Sequence, residues 1–236
     1  MEIQYLPEEA DYKYSMLMTL KSLISLILFE EEGNILLFLS TDQDFNYYLS
    51  ALKEALAVFY EKLGPITVTF IYSDYVSPIF CKEQEMLNSK SAIKPIRYIY
   101  LISTTCEFHL INKIKFVIDC GWEMRKIWSP TLIHNINFPT RLSTFDSNLR
   151  GLTAGTIEGG KCYRMYTKDT MNKGMHPIKS PELEFRDLSK VILFCKQLGY
   201  EWAKFGLVNK TNMKNYDSCI LLLKYIGALD DQVDIL

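Results

Sequence analysis

The stretch from Ser147 to Arg164 reads SNLRGLTAGTIEGGKCYR, and the fold can be worked out starting from it. Its segment Gly155–Cys162 differs from a phosphate-binding P-loop, G-x-x-x-x-G-K-[ST], only in its final cysteine. A P-loop follows a strand and opens a helix, so that backbone N–H groups meet the phosphates. Here the order is reversed, because residues 143–154 have a helical pattern and Cys162–Tyr166 has that of a strand. We therefore interpret the likeness to a P-loop as accidental.

Outward from this stretch, short apolar runs alternate with segments of helical periodicity. Continuous apolar or β-branched runs that are too short for helices predict buried strands, and apolar residues recurring every three or four positions predict helices. Strands are predicted at 35–39, 66–72, 97–102 and 114–119, and helices at 12–29, 42–63 and, as a short one, 79–87. This alternation indicates an α/β fold with a doubly wound parallel sheet.

The pattern changes after residue 120. Two short strand-like runs, 124–128 and 133–138, predict a β-hairpin, and 183–198 and 215–226 predict two helices. Residues 169–180 are polar and carry Gly and Pro, which is typical of a domain boundary. We therefore expect a helical N-terminal lead-in (1–32), a sheet domain (33–170) and a small, mostly helical domain (180–236).

Composition restricts the class of protein. The chain has 236 residues, of which 48% are hydrophobic, and this indicates a sizeable core rather than disorder. The formal net charge of -2 provides no global basic field for nucleic acid. The six cysteines form no C-x-x-C pair, which favours reduced, packed thiols over a disulfide framework or a zinc site. With no signal peptide or bilayer-spanning apolar run, we expect a cytoplasmic protein without a membrane partner, a nuclear location remaining open.

The opening stretch resembles the last signature motif of the DEAH-box RNA helicases. In the second RecA-like domain of that family the motif is Q-R-x-G-R-x-G-R, followed closely by G-K-C-Y-R. Gly160–Arg164 match the tail residue for residue, while Arg150 matches the first arginine and Gly155 the second glycine. The resemblance implies that Thr153 and Thr156 stand where the family carries two arginine fingers. A threonine hydroxyl cannot supply the positive fork that stabilises charge on a transferring γ-phosphate.

Further segments carry the same resemblance, from about Lys21 to the C-terminus. Gly33–Leu39 is similar to the strand of the family's fourth motif. Arg97–Gly121 covers the fifth motif, where the flanking strands match the family but the residues of the motif itself are replaced. Pro181–Glu182 and Leu221–Asp230 are similar to segments of the family's winged-helix domain. The spacing is close to that of the spindle-E type germline helicases.

The resemblance implies candidate site residues and a limited set of ligands. A remnant of a nucleotide site is expected at Arg150 and Gly155, and no catalytic or metal-binding residue is expected. Nothing in the chain resembles the first RecA-like domain, so ATP and Mg²⁺ are expected only if a partner supplies that domain. The resemblance places candidate RNA-binding residues after two strands, at Ser40, Thr41, Ser103 and Thr104. Lys126 in the predicted hairpin is a further candidate, because basic residues near aromatic ones suit single-stranded RNA.

Two other features have an ordinary interpretation. Asp119, at the end of a predicted strand, suits packing or turn capping better than acid–base chemistry. Basic residues interleaved with aromatic ones suit single-stranded RNA, but the net charge slightly favours a mixed surface for them. These basic residues are Lys82, Lys90, Lys94, Arg97, Arg125 and Lys126.

The leading hypothesis is a non-catalytic, helicase-derived module in RNA metabolism that binds RNA or a protein partner. We expect RNA binding by the isolated chain to be weak, with no preference for DNA, and we expect a protein partner. The alternative is the C-terminal half of a split or truncated ATP-dependent RNA helicase that needs a separate first RecA-like domain. A third hypothesis is a chain that keeps the fold without any retained activity.

Overall fold

The structure is a computed structural model. It describes residues 1–30, 32–41, 44–59, 66–72, 75–82, 97–102, 111, 113–156, 158–200, 213–230 and 232–233. For residues 72, 75–82, 156 and 213 it describes the backbone only. The α-helices are α1 (Tyr12–Phe29), α2 (Asp44–Val58), α3 (Thr144–Leu152), α4 (Ser189–Gln197) and α5 (Met213–Tyr225). The strands are β1 (Glu2–Tyr5), β2 (Asn34–Phe38), β3 (Ile66–Tyr72), β4 (Tyr75–Lys82), β5 (Arg97–Ile102), β6 (Ile114–Asp119), β7 (Trp122–Ser129), β8 (His134–Arg141) and β9 (Lys161–Arg164). Short 3-10 helices cover Thr153–Thr156 and Glu182–Glu184, and a π-helix covers Thr170–Gly174.

Seven strands form one sheet in the order β1-β9-β6-β2-β5-β3-β4. Six of them run parallel, and β4 pairs antiparallel with β3 at one edge. Strand β2 lies between β5 and β6, with Leu37 opposite both Leu101 and Ile118. Its continuous apolar sequence suits this central position, since a parallel strand is covered on both faces. The predicted doubly wound α/β fold is confirmed.

Alternate residues of β2 point into different layers of the core. Ile35 and Leu37 belong to the apolar cluster that α1 and α2 cover, whereas Leu36 and Phe38 belong to a second cluster. That second cluster includes Ala154, in the short helix directly after α3. The sheet therefore has helices on both faces, and α3 lies on the face opposite α1 and α2.

Helix α1 is fixed at both ends by side chains. The Asp11 carboxylate accepts a hydrogen bond from the backbone N–H of Tyr14 at 2.7 Å, which caps the N-terminus. At the other end the buried Arg97 guanidinium donates to the carbonyls of Leu26 at 2.9 Å and Gly33 at 2.7 Å. Helix C-terminal carbonyls carry partial negative charge, so a cation is favoured there. Arg97 is therefore a capping residue and is not available to a basic RNA-binding surface.

The structure differs from the predicted elements in three places. The helix predicted at 79–87 is wrong where it can be compared, because residues 79–82 belong to β4. Strand β4 keeps its pairing with β3 through a register shift that leaves Pro78 opposite Thr69, and proline is tolerated at the bulge of an edge strand. Strand β1 is not predicted, because its exposed residues show no apolar pattern. Helices α2 and α4 are shorter than predicted.

Contacts divide the chain into two units. The first comprises Met1–Glu123 and Pro139–Lys179, so it contains β1 and α1 from the segment assigned to a lead-in. Strand β1 joins it by pairing with β9.

The second unit comprises Met124–Phe138 and Ser180–Leu236. It contains most of the predicted hairpin, whose strands β7 and β8 form a separate two-stranded sheet. Here α4 and α5 pack through Ile192 and Leu223, with Trp128 against the same cluster. The backbone N–H of Trp128 donates to the Phe185 carbonyl at 2.8 Å, which explains why the hairpin groups with these helices. Assignment of this unit to a winged-helix domain stays a prediction. No helix in the described part of the chain is long and apolar enough to cross a bilayer.

Candidate functional site

The first unit gathers the motif residues at the carboxyl edge of its parallel sheet. Strand β2 leads there to Ser40, β6 ends at Asp119, and β9 leads to Tyr166. Ligands of open α/β sheets bind outside the carboxyl ends of the strands, so this edge is the candidate site. Helix α3 lies beside it and carries the residues that resemble the helicase motif.

Asp119 is the centre of this edge and is fully buried. One carboxylate oxygen accepts from the Arg150 guanidinium at 2.9 Å and from the backbone N–H of Gly121 at 3.1 Å. The other accepts from the Ser147 hydroxyl at 3.0 Å and from the Tyr166 hydroxyl at 2.9 Å. A buried carboxylate needs such partners, because an unpaired charge in the interior is costly. The predicted packing and turn-capping role of Asp119 is confirmed.

Tyr166 closes this hydrogen-bond network and is itself fully buried. Burial raises the pKa of Tyr166 well above its ordinary value, and the neighbouring Asp119 charge raises it further. The phenol therefore stays protonated and can donate to Asp119. Its hydroxyl also makes a short hydrogen bond with the Ser147 hydroxyl.

Arg150 points inward from α3 and is only 2% exposed. Its guanidinium pairs with Asp119 and lies 4.8 Å from the centre of the Phe38 ring. A nucleotide could reach this guanidinium only if the buried ion pair separated. The nucleotide-binding role suggested for Arg150 stays a prediction, but the contacts are those of an ion pair that fixes α3 to β6.

Arg164, the last residue of the G-K-C-Y-R tail, is also 2% exposed. It donates to the Tyr5 hydroxyl at 2.7 Å and to the Asn148 side-chain oxygen at 2.8 Å. A weaker bond at 3.3 Å reaches the backbone carbonyl of Ser147. Arg164 therefore connects β9 to both α3 and β1.

The turn after α3 carries the positions where the family has its arginine fingers. Thr153 and Gly155 lie in the 3-10 helix, and nothing is described for the Thr156 side chain. Leu152 occupies the motif's first glycine position and is 60% exposed. Arg150 is the only cationic residue between 144 and 156 in the sequence. The described part of this helix and turn therefore presents no cation to solvent.

Of the five predicted RNA-binding residues, the structure describes Ser40 and Thr41 in the first unit and Lys126 in the second. Ser40 is fully buried, where its hydroxyl bonds to the Tyr12 hydroxyl at 2.9 Å and to the Asp44 carboxylate. Thr41 is half-buried beside it, and its carbonyl accepts from the Asp44 backbone N–H at 3.2 Å. Lys126 is exposed but belongs to the second unit. Ser103 and Thr104 lie outside the described residues. The Ser40 hydroxyl is therefore not placed to contact RNA.

Tyr12 and Asp44 belong to a polar cluster that sequence reasoning did not find. The Tyr12 hydroxyl lies 2.9 and 3.1 Å from the two Asp44 carboxylate oxygens. Burial raises the pKa of the Asp44 carboxyl above its usual value. Tyr12 begins α1 and Asp44 begins α2, so the contact ties the two helices together at the same edge of the sheet. No local pattern signals it, because the partners are far apart in the sequence.

The described cysteines are packed thiols, as predicted. Cys120, Cys162, Cys195 and Cys219 are all free and buried. Burial raises the pKa of both Cys120 and Cys162 to about 12, so neither forms a reactive thiolate near neutral pH. Among the described residues, no group of three or more His, Cys, Asp or Glu side chains is arranged to hold a metal ion.

The P-loop-like segment has the structure expected of an accidental match. Gly155 lies in a 3-10 helix, and Lys161 opens strand β9 rather than a helix. Lys161 pairs with Glu2 of β1 and Phe116 of β6 in the sheet register. No helix N-terminus is therefore available here to receive a phosphate.

The RecA-like fold and these motif remnants are similar to those of a C-terminal helicase domain. Its sequence is 27% identical to the pre-mRNA-splicing factor ATP-dependent RNA helicase prp22 of Schizosaccharomyces pombe over 234 residues, covering 98% of this chain and 19% of that protein. It is 26% identical to human DHX32 over 205 residues, covering 85% of this chain and 27% of that protein. No protein-family model matches the chain.

Solved structures agree on the fold. A crystal structure of the Escherichia coli DEAH/RHA helicase HrpB matches with a TM-score of 0.75 and 21% identity, covering all of this chain and 28% of HrpB. The resemblance to DEAH-box RNA helicases and their C-terminal fold is thereby confirmed. The chain spans about a quarter of the length of these proteins or less, and the spindle-E subgroup stays a prediction.

Proposed function

We propose that this chain is a non-catalytic, helicase-derived module of RNA metabolism that acts mainly by binding a protein partner. The observation that carries the proposal is that neither α3 nor the described part of the turn after it presents an arginine to solvent. The one arginine of α3, Arg150, is engaged in a buried ion pair, and Thr153 stands where a catalytic arginine would be. Phosphoryl transfer depends on cations that stabilise charge on the γ-phosphate, and removing an arginine finger costs a factor of about 10³–10⁵ in rate.

Charge and burial favour a protein over RNA as the main partner. The formal net charge is -2, whereas nucleic-acid affinity comes largely from neutralising phosphates with Lys and Arg. Ser40 is buried and Arg97 caps a helix, which removes two of the side chains that sequence reasoning offers to RNA. Any RNA binding therefore depends on exposed residues such as Lys126 and is weak.

A titration of labelled single-stranded RNA at low and moderate salt, with and without ATP, tests the proposal. We expect weak binding that falls with salt and does not respond to ATP, together with no ATP hydrolysis. Lys126→Glu should weaken this binding, and Lys168→Glu, at another exposed lysine, is the matched control. ATP-dependent RNA affinity or multiple-turnover hydrolysis by the isolated chain would overturn the proposal.

A second candidate function is ATP-dependent RNA unwinding, in which this chain acts as the C-terminal half of a helicase and a separate chain supplies the first RecA-like domain. The observation that favours it is an uncharged apolar surface on α3, where Phe145 and Leu152 are each 60% exposed. Both residues lie on one face of the helix, seven positions apart, which is where a docked domain could bury them.

Mixing the chain with the first RecA-like domain of a DEAH-box helicase tests this candidate. RNA-stimulated ATP hydrolysis by the mixture, but by neither component, would support it. Phe145→Ser should then reduce the rate of ATP hydrolysis. Val58→Ser, at a residue of α2 that is 76% exposed, should leave that rate unchanged. Absence of both complex formation and hydrolysis would eliminate it.

A further inference from the structure

We draw no further inference here: the strongest candidate, the exposed apolar stripe of α4 formed by Val191, Phe194 and Leu198, carries none because nothing in the structure shows what covers it.

Discussion

The two arginines of the motif stretch that match the helicase family lie in a different environment from Leu152, which differs from the family. Arg150 and Arg164 match the family, and both are 2% exposed and held by several hydrogen bonds or an ion pair. Leu152 and Thr153 differ from the family, and they lie at the end of α3 and in the turn that follows it, Leu152 being 60% exposed. The two matching arginines thus coincide with residues that the fold needs.

This difference explains how a sequence can keep a recognisable motif without its catalytic arginines. Replacing an exposed side chain usually changes the free energy of unfolding by less than about 0.5 kcal/mol. Removing one partner of a buried ion pair costs about 3–5 kcal/mol, because the other charge is left unpaired. Stability alone therefore retains Arg150 and Asp119, whereas the exposed side chain of Leu152 is under no such constraint. A motif match in such a chain indicates fold more strongly than activity.

The largest effect is expected from Asp119→Ala. The substitution leaves the Arg150 charge buried without its carboxylate and removes the acceptor of the Ser147 and Tyr166 hydroxyls. We expect a loss of about 3–5 kcal/mol in the free energy of unfolding, measured by urea denaturation followed by circular dichroism.

The matched control is Asp169→Ala, which removes an ion pair with Lys173 whose side chains are 72% and 77% exposed. Exposed pairs are screened by solvent and contribute little to stability, so the control should unfold almost as the parent chain does. An equal loss in the free energy of unfolding for Asp119→Ala and Asp169→Ala would contradict the distinction between the buried Arg150 ion pair and exposed positions.

A somewhat smaller effect is expected from Arg164→Met. It keeps the aliphatic bulk but removes the bonds to the Tyr5 hydroxyl and the Asn148 side chain. Hydrogen bonds to charged groups contribute about 1.5–3 kcal/mol each, but the substitution also removes the cost of burying the charge, so the expected net loss is about 2–3 kcal/mol. Arg186→Met, at an arginine whose ion pair with Glu182 is partly exposed, provides the comparison. A neutral result for Arg164→Met would mean that the match in the tail does not reflect stability.

Alkaline pH should lower the stability of the fold through two buried thiols, one of which, Cys162, lies in the motif stretch. The pKa of Cys120 and of Cys162 is raised to about 12, so between pH 9 and 12 the unfolded chain loses these protons and the folded chain keeps them. The folded state then binds more protons, and stability falls as pH rises, by up to about 1.4 kcal/mol per pH unit for each thiol.

Urea midpoints measured at pH 8 and pH 10 test this linkage. Cys162→Ala should lower stability at both pH values but reduce the difference between them. An unchanged difference in that variant would show that other groups cause the alkaline loss.

The sequence predicts the sheet better than it predicts the site. The buried parallel strands are identified because they are continuous apolar runs, and α3 because its pattern is helical. Strand β1 is missed because its residues are exposed, and β4 because the edge strand contains Pro78. The burial of Arg150 follows from a partner 31 positions away, a contact that no local pattern reports. Sequence reasoning therefore finds the motif positions but not which of them face solvent.

The smallest effect on stability is expected from restoring arginines at Thr153 and Thr156. Thr153 is half-buried in the 3-10 helix after α3, so Thr153→Arg should change the free energy of unfolding by about 1 kcal/mol. The double substitution Thr153→Arg, Thr156→Arg should likewise produce no ATP hydrolysis by the isolated chain. Arginine fingers act on a phosphate that other groups already hold, and this chain contains neither a P-loop in its structural context nor the D-E-x-H motif. Phosphate release measured with and without RNA checks this, with the parent chain as control. Robust turnover by the double variant would contradict this expectation and mean that the chain holds a nucleotide by itself.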